Sequence, residues 1–68
     1  MDYIEAIRTA RNLKRMSQSD AADAIGVTQK TVSRWETGQT IPNAINLVKM
    51  SEVYGKSIDQ LCGVTSLF

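Results

Sequence analysis

The 68 residues weigh 7.5 kDa, enough for one domain and too little for a second core. Hydrophobic residues at 43% and charged residues at 22% form an ordinary globular balance, which excludes a disordered or collagen-like chain. The formal net charge of +1 is too small by itself to point to nucleic acid, and no apolar run approaches the roughly 20 residues that span a bilayer.

The chemistry available is narrow. There is no histidine, so the commonest general base, metal ligand and pH switch are missing. The single cysteine, Cys62, excludes an internal disulfide and a cysteine-built metal site. Its expected role is a small buried apolar side chain, with a redox sensor as the alternative. The glycines Gly26, Gly38, Gly55 and Gly63 are isolated and form no phosphate loop. An enzyme, a metal, a cofactor, a membrane partner and a small-molecule ligand are not expected; a binding protein is. The start Met1-Asp2-Tyr3-Ile4-Glu5 lacks the basic and apolar regions of a signal peptide, from which a cytoplasmic location is expected.

The chain reads as all-α, five short helices with no alternating strand pattern. The first covers about Asp2 to Lys14. The run from Arg8 to Arg15 holds four cations and no anion, which also suits a solvated helix C-terminus. The second helix starts at Ser17, with Asp20 three residues on in a near capping box, and ends before Gly26. The third starts at the N-cap type Thr28 and stops near Gly38. Gln39 to Pro42 connect it to a fourth helix, from Asn43 to Gly55. Ser57 caps a last helix through about Leu61. The domain is expected over residues 1–63, with residues 64–68 as a short tail.

Two helices of about nine residues joined by about three must cross steeply. Ala22 is small enough for that crossing, and Gly26 accepts the positive φ of the turn. Ala21, Ile25, Val27, Val32 and Trp35 fall on the inward faces. Residues 18–37 therefore carry a helix-turn-helix pattern.

The stretch Met16-Ser17-Gln18-Ser19-Asp20-Ala21-Ala22-Asp23-Ala24-Ile25-Gly26-Val27 resembles the second helix of Cro and phage repressor proteins. Thr28 to Gly38, with Ser33-Arg34-Trp35-Glu36, resembles their recognition helix and its exit, and Ile41-Pro42 and Gly55 to Leu61 resemble their closing segments. The likeness covers about Ile4 to Leu61. It implies the five-helix lambda-repressor-like fold and dimeric binding to DNA. Three positions depart from the family pattern: Arg15 stands where glycine is frequent, which predicts a strained turn; Ala44 replaces a larger apolar residue and Lys56 an apolar one.

On a wheel of about 100° per residue, Trp35 and Thr28 lie within about 60° of Val32, whereas Lys30, Ser33 and Arg34 lie on the opposite side and Gln29 flanks them in the first turn. The N-terminal part of such a helix enters the major groove, so Gln29, Lys30, Ser33 and Arg34 are the expected base readers. Gln suits adenine, and Lys or Arg suits guanine; a generic polar surface is the alternative. The resemblance places Gln18 on phosphate. Ser17, Thr28, Thr37 and Thr40 are further backbone candidates, and Ser17 and Thr28 also read as plain N-caps.

Arg11 falls inside the apolar face of the first helix, where an unpaired cation is costly. Glu36, at the edge of the third helix's core face, is the expected partner, and the resemblance supports such a bridge. Arg11 bound only to phosphate, or engaged in both, is the alternative. Trp35 points inward and reads as core rather than as a base-stacking platform. Tyr3 and Tyr54 read as core residues with wet hydroxyls.

Leu13 and Ile45 face away from the core sides of their helices. Ile41, Ile45, Leu67 and Phe68 are the expected dimer interface. The function expected from these residues and the resemblance is a sequence-specific double-stranded DNA-binding transcriptional regulator, a repressor, bound as a homodimer to a near-palindromic operator. The alternative is a protein-interaction module on the same fold, an antitoxin or adaptor.

Overall fold

A computed structural model describes residues 2–68; Met1, the first residue of the expected domain, lies outside the described residues. Five helices follow in order: α1 (Tyr3–Leu13), α2 (Gln18–Ile25), α3 (Gln29–Thr37), α4 (Ala44–Tyr54) and α5 (Ile58–Leu61), with no strand among the described residues.

Every helix opens on a short polar residue in extended backbone. Asp2, Ser17, Thr28, Asn43 and Ser57 each accept a hydrogen bond from the N–H three residues on, which satisfies one of the orphan donors of a helix start. The box at Ser17 is closed: Asp20 N–H donates to Ser17 Oγ at 2.9 Å and Ser17 N–H donates to Asp20 Oδ2 at 3.1 Å. The Ser17 N–H, aided by the Ser17 hydroxyl, holds the Asp20 carboxyl below its ordinary pKa. Ser57 and Gln60 form a second such box.

The core draws on every helix. Ala6, Ile7 and Ala10 of α1 meet Ala21, Ala22 and Ile25 of α2, Val32 and Trp35 of α3, Met50 and Tyr54 of α4, and Leu61 of α5. The four alanines are at most 2% exposed, and their small side chains let helix backbones approach closely. α2 packs on α3 and α4, α1 on α3 and α5, and α4 on α5. The α2–α3 turn passes through Gly26 at φ +92°, a region that favours glycine. Gly38, at φ +81°, also faces Ile4, whose Cδ1 would lie 2.7 Å from an added Cβ.

Two expectations are corrected here. Leu67 is 3% exposed and belongs to the core, so it cannot form a dimer surface. Residues 66–67 are strapped down: Lys56 Nζ donates to the Leu67 carbonyl at 3.3 Å and Gln60 Nε2 to the Ser66 carbonyl at 2.9 Å. Lys56, a departure from the apolar pattern, thus has a definite task. Cys62 is exposed rather than buried. It sits on the rim of an apolar cavity of about 210 Å³ also lined by Tyr3, Ile7, Ile41, Pro42, Leu47 and Leu61. No helix among the described residues is long and apolar enough to cross a membrane, and no cluster of three potential metal ligands occurs among them.

Candidate nucleic-acid interface

α3 is fixed from the inside. Val32 at 1%, Trp35 at 3% and Glu36 at 5% exposure turn toward the core, and Thr28 and Gly38 close its ends. Gln29, Lys30 and Arg34 are consequently exposed, while Ser33 is half-buried beside them. The helix thus presents an amide, an ammonium and a guanidinium on a rigid support, the donor types that read base edges in a major groove.

A charged network ties α1, α2 and α3 together behind this face. Arg11 Nε donates to Glu36 Oε2 at 2.7 Å and Arg11 Nη2 to Glu36 Oε1 at 2.8 Å, a two-pronged pair with good geometry. Arg11 Nη1 donates to the Met16 carbonyl at 2.8 Å, and Gln18 Nε2 donates to Glu36 Oε1 at 3.2 Å. Glu36's hydrogen bonds raise the Arg11 pKa further above its ordinary value. Burial, with the Glu36 charge adding and the Arg11 charge opposing, pushes the Tyr54 phenol up to about 12. Two of Arg11's five N–H groups remain for any phosphate, from a side chain 12% exposed.

The small polar residues differ in what they can still offer. Phosphate only accepts hydrogen bonds, so a phosphate ligand needs a proton to give. Thr37 is exposed, and in this conformation its Oγ1 gives its proton to the Ser33 carbonyl at 3.0 Å. Ser17 Oγ accepts from Asp20 N–H and keeps its proton. Thr28 Oγ1 accepts from Thr31 N–H and lies 3.0 Å from Thr31 Oγ1. Thr40 is exposed. Gln18 uses one Nε2–H on Glu36 and has a second. The link from Gln18 to Glu36 was not legible in the sequence, because angles on one helix do not set the phase of a neighbour.

The outward apolar residues lie on the α3–α4 connection, on α4 and at the end of the tail. Ile41 is 72%, Ile45 67% and Phe68 85% exposed. Val48 at 46% extends the α4 stripe one turn beyond Ile45, a member that sequence reading missed. Leu13, at 47%, faces solvent from the end of α1.

A helix-turn-helix family model matches residues 7–61. The chain is 34% identical over 63 residues to the cryptic phage CTXphi transcriptional repressor RstR of Vibrio cholerae serotype O1, covering 93% of this chain and 56% of that protein. It is 38% identical over 60 residues to multiprotein-bridging factor 1c of Arabidopsis thaliana, covering 81% of this chain and 40% of that protein. The chain thus spans about half of these relatives' length. Among solved structures, the P22 c2 repressor in complex with synthetic operator 9T superimposes with a TM-score of 0.88 at 29% identity, covering 96% of this chain and 98% of that one.

Proposed function

The chain belongs to the helix-turn-helix family, a family of transcription regulators and not of enzymes, and from that premise we propose that it is a sequence-specific double-stranded DNA-binding transcriptional repressor. The observation that carries this reading is the exposed row Gln29, Lys30 and Arg34 on a helix whose opposite side is anchored by Trp35 and Glu36. In this reading Gln29, Lys30, Ser33 and Arg34 meet base edges. Gln18, Ser17, Thr28, Thr37, Thr40 and the free N–H groups of Arg11 meet phosphates. Repression is steric, since an occupied operator excludes polymerase, and the site of action is the cytoplasm.

Selection of bound duplexes from a random pool tests this directly. A single preferred half-site should emerge. Gln29→Ala and Lys30→Ala should each cost about 1–3 kcal/mol on it and relax preference at one base pair. Selected sequences left unchanged by both variants would remove this base-reading face.

A domain of this size covers one major-groove stretch, so two copies on half-sites about one helical turn apart complete the operator. Ile41, Ile45 and Phe68, large apolar residues left mostly exposed, supply the contact between them. Ile45→Asp should lower affinity for a two-half-site duplex while leaving binding to a single half-site unchanged, as band-shift titrations would read. Equal affinities of parent and variant on the full site would exclude this face.

The likeness to a multiprotein-bridging factor and the apolar stripe Ile45–Val48 favour a second reading, a protein-interaction module. Salt-dependent retention on random duplex DNA separates the two, because phosphate contacts release counterions and an apolar contact does not.

A further inference from the structure

All five helices end in the same way. An N–H donates to the carbonyl five residues back: Met16 to Arg11 at 3.3 Å, Val27 to Ala22 at 3.0 Å, Gln39 to Arg34 at 2.9 Å, Lys56 to Ser51 at 3.2 Å and Val64 to Asp59 at 2.9 Å. This closure requires a left-handed residue just before the donor. Four of those residues are glycines, Gly26, Gly38, Gly55 and Gly63, at φ between +66° and +92°. The fifth is Arg15 at φ +58°, the one non-glycine residue with positive φ among the described residues. A side chain there crowds the following carbonyl, so the turn is strained where glycine would relax it.

Strain that a single substitution could relieve, and that the other four helix ends avoid, calls for a compensating role of the side chain. The packing supplies none. Arg15 is exposed, its guanidinium makes no ion pair among the described residues, and only its backbone N–H is engaged, donating to the Asn12 carbonyl at 2.9 Å. Its surroundings are cationic. No acidic residue occurs between Glu5 and Asp20, while Arg8, Lys14 and Arg15 are all exposed. Arg11 is neutralised by Glu36, and the Asp20 carboxylate is turned onto Ser17 N–H. The turn leads directly into Ser17, the N-cap of α2, two residues later.

We infer that Arg15 is a phosphate-binding residue for double-stranded DNA, held two residues before the α2 N-cap Ser17 by a turn whose strain is retained for that contact. The inference rests on the DNA-binding reading above and adds a residue to it. A guanidinium on the backbone adds affinity that is independent of sequence. Because the strain is borne by the folded state and the contact exists only on DNA, stability and affinity must respond in opposite directions to Arg15→Gly.

The test compares the parent with Arg15→Gly and Arg15→Asn, both of which tolerate the left-handed turn and remove the charge. Melting and binding are measured on the selected duplex and on a random one. Arg15→Gly should raise the melting temperature by a few degrees. Both variants should bind the two duplexes several-fold more weakly by the same factor. The slope of log affinity against log salt should become shallower by about 0.9 per copy bound. An unchanged slope in both variants, or a loss confined to one base pair of the selected site, would overturn the assignment even if the parent binds DNA as proposed. A parent that binds neither duplex would overturn the DNA-binding reading itself, and the assignment with it.

Discussion

Arg11→Met is expected to leave most of the domain unfolded at physiological temperature, and Glu36→Met to be less damaging, although the two residues form one pair. Removing one member of a buried pair strands the other, at a cost of about 3–5 kcal/mol. A single core in a chain this short rarely supplies more than about 3–5 kcal/mol in total. The two sides of the pair differ in their escape routes. The Glu36 side chain is 4% exposed and that of Arg11 12%. Without Arg11, the Glu36 carboxylate keeps only the 3.2 Å bond from Gln18 Nε2. Without Glu36, Arg11 still donates to the Met16 carbonyl, and its long stem lets the charged end turn outward. The double variant Arg11→Met/Glu36→Met carries no orphan charge and should regain much of the lost stability. Thermal melts of the four proteins read this as a coupling energy. Additive losses in the double variant would mean that the pair is not what holds α1 to α3.

The helix ends were the most legible part of this fold because they are local. An N-cap needs only a short polar side chain and the N–H three residues on, so Ser17, Thr28, Asn43 and Ser57 could be placed from sequence to within a residue. The Arg11–Glu36 contact was legible for a related reason: an ionised residue within an apolar stripe demands a partner, and few candidates of opposite charge lay on facing helices. Where the answer depended on how separate segments meet, sequence fell short. Cys62 follows a helix of a single turn, too short for its spacing to define a face. The bond from Thr37 to the Ser33 carbonyl is one of several rotamer choices a helical threonine has, so spacing alone does not set it. Within the candidate interface, exposure of Gln29, Lys30 and Arg34 followed from helix angle, whereas Gln18's attachment to Glu36 depended on the crossing of α2 and α3.

Leu67→Ala is expected to destabilise the domain by about 2–5 kcal/mol, the range for emptying a buried leucine site, and Phe68→Ala by no more than about 0.5 kcal/mol. The two residues are adjacent in a tail that contains no helix, and by composition they are interchangeable. What separates them is the backbone. The strap from Lys56 Nζ and Gln60 Nε2 onto the carbonyls of Leu67 and Ser66 fixes the tail so that Leu67 enters the cluster with Leu61 and Met50 while Phe68 stays 85% exposed. A chain stopped after Gly63 should therefore lose about as much as Leu67→Ala, because both remove the same buried side chain. Lys56→Met should lose less, about 1–3 kcal/mol, since it unpairs one part-buried carbonyl and leaves Leu67 in place. Urea titrations followed by Trp35 fluorescence give the midpoints, and an unchanged slope shows that the denatured state is the same in each. If the shortened chain unfolded at the parent's midpoint, the core would close without Leu67, and residues 64–68 would be the detached tail that their composition suggests.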